Sequence, residues 1–254
     1  IDLTGNSINS VKGSDVDDVI FGSDGAQREH VRGRAGNDYI DGGGGADDQI
    51  DYRESSNGVV VNLSSATETI SGLNVAAGTA RDGHGGVDTL VNIENIRGSL
   101  HDDILNGNDG DNEFYGEDGD DYIVTGNSSY DWGDYIQAGT GNDTIDFGDG
   151  DGWYDLDYSR LTGSYDIDLS TGIVDKGIDG TDTLIGVQNI HGSGLGAPRQ
   201  RRQRGRRSRH RLSAYALADD EILIQHRDRH FGGDDAVDDR RDVGAQTLGA
   251  RFAL

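Results

Sequence analysis

A nine-residue unit recurs along this chain, and it limits the possible folds more than any other feature. Gly stands at its first and fourth places, Asp at the sixth and an apolar residue at the eighth. Gly33–Asp41 (GRAGNDYID) carries it, with Arg34 in place of a glycine, and Gly116–Val124 (GEDGDDYIV) and Ala138–Asp146 (AGTGNDTID) carry it closely. Gly43–Asp51 (GGGADDQID) has Ala46 at the fourth place and Gly42 as an extra residue. Gly13–Phe21, Gly98–Asn106 and Gly107–Tyr115 are looser copies, the last with Asn112 at the sixth place; Ser129–Gln137 keeps only Asp134 and Ile136.

The spacing has a physical reading. Glycine reaches positive φ without a Cβ clash, so six residues can close a tight turn with carbonyls facing one point. The next three are extended, and only the eighth side chain points inward. Two units make an 18-residue coil with a turn on each side. Asp103 and Asp121 are 18 apart, so their turns are predicted to stack on one side. Asp143 joins them after the four inserted residues 125–128.

Stacked turns pile up carboxylates that repel one another unless a counter-charge is present. Oxygen donors without cysteine or clustered histidine select a hard cation, and irregular carbonyls suit Ca²⁺ better than octahedral Mg²⁺. The expected ion-holding residues are Asp18, Gly33, Gly36, Asp38, Gly43, Asp48, Asp103, Gly116, Gly119, Asp121, Asp134, Gly139, Gly141 and Asp143. Glycines shape the loop, aspartates hold several Ca²⁺ ions, and the ions supply what a small core cannot.

The pattern resembles the RTX (hemolysin-type) nonapeptide repeat, directly over residues 11–52 and 98–155. The resemblance implies an all-β fold, a parallel β-roll (a β-solenoid) with Ca²⁺ between turns, and export by type I secretion machinery. Residues 22–32 and 107–112 depart from the pattern.

Composition sets the remaining bounds. A formal charge of -25 with 33% hydrophobic residues lies near the disordered classes. There is no cysteine, hence neither a disulfide scaffold nor a thiolate site. No apolar run reaches the length of a membrane span, and IDLTGNSINS lacks the pattern of a signal peptide. With no methionine, even at position 1, the chain is expected to be a fragment or a processed product. H-E-x-x-H, G-x-S-x-G and P-loop motifs are missing, so no catalytic residues are assigned. Acidic pairs such as Asp17–Asp18 are explained by the repeat, and His84 and His101 read as solvent-facing.

A calcium-binding structural module of a secreted, extracellular protein is the leading expectation. The alternatives are an accessory module of a larger secreted enzyme (protease, lipase or alginate epimerase), or an adhesin-type module. The adhesin would use Trp132, Trp153 and nearby tyrosines on a cell-surface polysaccharide. No nucleic-acid partner is expected.

Five segments are predicted: a first array at 1–52, a β-rich spacer at 53–97, a second array at 98–155, a second spacer at 156–196, and a basic tail at 197–254. The spacers are duplicates: DYRESSNGVVVNLSS (51–65) matches DYSRLTGSYDIDLST (157–171), and GGVDTLVNIENIRGS (85–99) matches DGTDTLIGVQNIHGS (179–193). Val61 and Leu63 correspond to Ile167 and Leu169, and the blocks read as scaffold without chemistry.

The tail breaks with all of this. Up to Gly196 there are 9 Lys and Arg against 38 Asp and Glu, a net of -29; the rest holds 13 Arg and 9 acids, a net of +4. Eight of the thirteen residues Arg199–Arg211 are Arg. They read either as a basic segment for an acidic surface or an export-signal linker, or as the product of a shifted reading frame. Arg199–Arg204 encoded as CGG CAA CGA CGG CAA CGN yields Gly-Asn-Asp-Gly-Asn one base later, which is repeat sequence. On that reading the tail is expected to be disordered.

Overall fold

The computed structural model describes residues 1–3, 9–25, 28–45, 47–126, 133–148, 154–161, 165–168 and 171–186, together with the backbone of 189–193, 212–216 and 222–226. Each repeat contributes one short strand, of three residues or, at Asp134–Gln137, four, and successive strands alternate between two sheets. Ser10–Lys12, His30–Arg32 and Gln49–Asp51 lie side by side in one sheet, while Val19–Phe21 and Tyr39–Asp41 pair in the other. In the second array Glu113–Tyr115 and Asp134–Gln137 pair in the first sheet, and Ile104–Asn106, Tyr122–Val124 and Thr144–Asp146 in the second. All these pairings are parallel, and the chain is a parallel β-roll.

Only the centre of each strand faces inward, because three extended residues place one side chain on the inner face. Ile20, Ile40, Leu105, Ile123 and Ile145 from one sheet meet Val31, Ile50, Phe114 and Ile136 from the other, all with no exposed surface. Burying one such side chain contributes about 1.5–3 kcal/mol. One apolar anchor per nine-residue unit makes a thin core, so the turns decide whether the roll is stable.

The spacers are spliced into the same sheets. Val60–Asn62 runs parallel to Ile104–Asn106 and antiparallel to Thr79–Arg81, which is antiparallel to Val87–Val91. Val87–Val91 then runs parallel to Tyr39–Asp41, so three spacer strands bridge the two arrays in the second sheet. In the first sheet Asn95–Arg97 joins Gln49–Asp51 to Glu113–Tyr115. The second spacer repeats the hairpin, with Ile173–Asp175 antiparallel to Thr181–Ile185 and the latter parallel to Thr144–Asp146.

Most of the basic tail, and with it the expected disorder and the Arg-rich run, lies outside the described residues. Two of its segments, Leu212–Ala216 and Ile222–His226, form antiparallel strands beside Asn189–Ser193. Trp132, Trp153 and Leu169 also lie outside the described residues.

Candidate metal centre

The turns are built by backbone packed on backbone. At the second place of the three closest copies φ is positive whether or not the residue is glycine: +78° at Arg34, +77° at Glu117 and +107° at Gly139. The fourth place is stricter. A Cβ on Gly36 would lie 2.6 Å from the Val16 carbonyl carbon, and one on Gly119 would lie 2.5 Å from that of His101. A Cβ on Gly141 would lie 1.9 Å from the Gly119 oxygen. Glycine is needed there so that one coil can settle on the next.

This close stacking arranges the sixth-place acids in columns. In each step one carboxylate oxygen accepts the backbone N–H of the sixth-place residue one coil earlier. Asp18 donates to Asp38 (2.8 Å) and Asp38 to Asp88 (3.1 Å). In the second array Asp103 donates to Asp121 (2.9 Å), Asp121 to Asp143 (3.0 Å) and Asp143 to Asp182 (3.1 Å). The turns on the opposite side follow the same rule, with Glu29 donating to Asp48, Asp48 to Glu94 and Asn112 to Asp134. The predicted stack Asp103–Asp121–Asp143 is thus present, and Asp48 and Asp134 belong to the second column. Gly33 and Gly116 lie beneath the carboxylates, because a Cβ there would fall 2.1 and 2.2 Å from Oδ2 of Asp38 and Asp121. Gly42 sits in this way below Asp48, and Gly43 takes the positive-φ second place (+87°), so the extra residue lies within the turn and not before it.

The second carboxylate oxygen separates the ends of an array from its interior. At the starts, Asp18 Oδ2 accepts from Ser14 N–H and Oγ, and the Ser99 N–H donates to Asp103 Oδ2. At the far ends, Tyr52 donates to Asp88 Oδ2 and Tyr158 to Asp182 Oδ2, both at 2.8 Å. Inside the arrays Oδ2 of Asp38, Asp121 and Asp134 is buried with no hydrogen-bond partner. Thr125 borders Asp134, but its hydroxyl is directed to the Gly126 carbonyl.

Charge confined in this way shifts protonation. Burial, then the neighbouring charges of Asp103 and Asp143, pushes Asp121 up to about 9. Burial carries Asp134 to about 8, and Asp88 and Asp143 to about 7. Asp18, at an open end, moves the other way, because the Ser14 N–H and hydroxyl favour its charged form. Buried, unpartnered carboxylate oxygens are costly without a cation. Among the described residues no three Asp, Glu or His side chains converge on one point. An ion here must draw on turn carbonyls as well as carboxylates, which is hard-cation chemistry.

Residues 27–48, 97–129 and 133–154 match the RTX calcium-binding nonapeptide repeat, in four copies. These segments are RTX calcium-binding repeats. RTX repeats bind Ca²⁺, and the repeat region is a structural module, not a catalytic one. No curated protein matches the chain. Among solved structures, the extracellular lipase LipA from Serratia marcescens is similar at 16% identity, covering 74% of this chain, with a TM-score of 0.21. This chain spans 40% of that lipase.

Several column members were not singled out from sequence. Glu29 fills the acidic place of the irregular 22–32 segment behind a two-residue insertion, and its carboxylate accepts the Ser23 N–H. Asp88 and Asp182 come from the spacers, which are therefore more than scaffold. The signal was present: Gly83–Val91 (GHGGVDTLV) and Gly177–Ile185 (GIDGTDTLI) both follow the RTX spacing. His84, as expected, is surface-facing, with Nδ1 3.3 Å from Ser56 Oγ.

Proposed function

We propose that this chain is a module that folds when it meets extracellular Ca²⁺, in a protein exported unfolded by type I secretion machinery. The carrying observation is the buried, partnerless Oδ2 of Asp121, between Asp103 and Asp143 in the column. On this reading Asp18, Asp38, Asp103, Asp121 and Asp143 hold ions on one side of the roll, and Asp48 and Asp134 on the other. The turns that begin at Gly33, Gly42, Gly116 and Ala138 add carbonyls from their second and fourth places, among them Gly36, Gly43, Gly119, Gly139 and Gly141. The ion neutralises the column and cross-links successive coils, which one apolar anchor per strand holds only weakly. Low Ca²⁺ inside the cell keeps the chain open for export, and higher Ca²⁺ outside closes it.

The test is circular dichroism and hydrodynamic radius of the full chain, titrated with Ca²⁺ and, separately, with Mg²⁺. A gain of β signal and compaction at millimolar Ca²⁺, reversed by chelator, is expected. A chain already folded in excess chelator would refute the proposal.

A further inference from the structure

Lys176 is the one cation inside the column among the described residues, and its side chain has no exposed surface. Its Nζ lies 2.8 Å from Asp143 Oδ2, 2.6 Å from Asp182 Oδ1 and 2.8 Å from the Gly139 carbonyl. These acceptors are a sixth-place carboxylate, the sixth-place carboxylate of the next coil, and a second-place carbonyl. One step earlier the corresponding oxygen, Asp121 Oδ2, has no partner.

The first spacer shows what occupies this place otherwise. Ala80 pairs with Asp88 just as Val174 pairs with Asp182, so the residue two further on is Asp82 in one spacer and Lys176 in the other. The hairpins agree in detail: the Asp82 N–H donates to the Gly86 carbonyl, and the Lys176 N–H to the Gly180 carbonyl. Asp82 has no exposed surface, and its Oδ1 accepts from the N–H groups of His84, Gly85 and Gly86. Its Oδ2 has no partner, and neither does Oδ2 of Asp38, the counterpart of Asp143. Replacing Asp by Lys changes formal charge from −1 to +1, a difference equal to the charge of one Ca²⁺.

We propose that the Lys176 ammonium is the resident cation of the last step of the second array, standing where the matching step of the first array, bearing Asp82, takes a divalent ion. The step between Asp143 and Asp182 is thereby closed without Ca²⁺, and the second spacer is fastened to its array by a covalently attached charge. The step between Asp38 and Asp88 stays open until an ion arrives.

This inference rests on Ca²⁺ filling the other steps, and ion counting separates the two. The experiment is equilibrium dialysis of the full chain against radioactive Ca²⁺, for the parent, Lys176→Met and Asp82→Lys. Lys176→Met empties the place and is expected to bind one ion more than the parent; Asp82→Lys is expected to bind one fewer. A folded Lys176→Met chain with the parent's stoichiometry overturns the proposal. If Lys176→Met does not fold at any Ca²⁺ concentration, Asp82→Lys decides, and a parental ion count there overturns it. A parent chain that binds no Ca²⁺ refutes the calcium reading itself.

Discussion

Replacing Asp121 by Asn should move stability in opposite directions with and without Ca²⁺. In the ion-free fold the Asp121 carboxyl is raised from 3.8 to about 9 by burial and by Asp103 and Asp143. At pH 7 it therefore holds a proton that the unfolded chain releases, which costs the ion-free fold about 4 kcal/mol. An amide removes this term and keeps an oxygen to accept the Asp103 N–H. Its own N–H groups need partners, and leaving them unmade costs about 1–3 kcal/mol. The chain already uses this exchange at Asn112, whose Nδ2 donates to the Glu94 carbonyl at 2.7 Å and whose Oδ1 accepts the Asn108 N–H. The net expectation is an ion-free fold about 1–3 kcal/mol more stable than the parent. In saturating Ca²⁺ the variant should be the weaker of the two, because a charged donor is lost from two steps. The assay is folding in chelator driven by trimethylamine oxide, beside thermal unfolding in Ca²⁺. A variant less stable than the parent in both conditions would show that burying the Asp121 carboxyl costs the ion-free fold nothing.

The ion-free fold should also depend on pH. Asp121, Asp134, Asp88 and Asp143 are all raised, to between about 7 and about 9, so their contribution is fully present below the unfolded carboxylate value and lost as pH rises through that range. Osmolyte midpoints in chelator should be lower at pH 5.5 than at pH 8.5, and a flat or reversed profile would contradict the assignment. Gly116→Ala places a Cβ 2.2 Å from both Asp121 Oδ2 and the Ala138 carbonyl oxygen. It should destabilise the Ca²⁺ form by about 2 kcal/mol or more, against about 0.5 kcal/mol or less for the surface change His84→Ala; equal Ca²⁺ midpoints for the two would remove the turn from the site. Tyr52→Phe and Tyr158→Phe each remove a buried hydroxyl donor to a carboxylate and should cost about 1.5–3 kcal/mol in thermal unfolding with Ca²⁺. No change in either would show that the array ends need no cap.

The roll was legible because its period is rigid. Once a unit places Ile40 or Ile123 at the eighth position, the side chain must face inward, and both are fully buried. The 18-residue coil likewise fixed the Asp103–Asp121 neighbourhood, seen as one hydrogen bond from backbone to carboxylate. What stayed hidden lay where the count breaks. Glu29 sits behind an insertion, and the longer side chain reaches the place an aspartate fills elsewhere. Asp88 and Asp182 follow the unit, but long antiparallel detours hide their position in the stack. Lys176 could not be read at all, since nothing in a local pattern shows that a lysine just past one hairpin strand reaches the carboxylate of an earlier coil.

The bonds from backbone N–H to side-chain carboxylate along the column all point one way. The donor is always the earlier residue in the chain and the acceptor the later one, from Asp18 into Asp38 and from Asp143 into Asp182. The roll is therefore a polar filament with two unlike ends. A coil laid down on the N-terminal side finds a finished carboxylate waiting for its N–H. A coil added on the C-terminal side must supply the acceptor for a donor already in place. The next N–H along the backbone runs the other way, from Tyr39 into the Asp18 carbonyl and from Thr183 into the Asp143 carbonyl, so every junction between coils is stitched in both directions and a bare end of either kind leaves groups without partners.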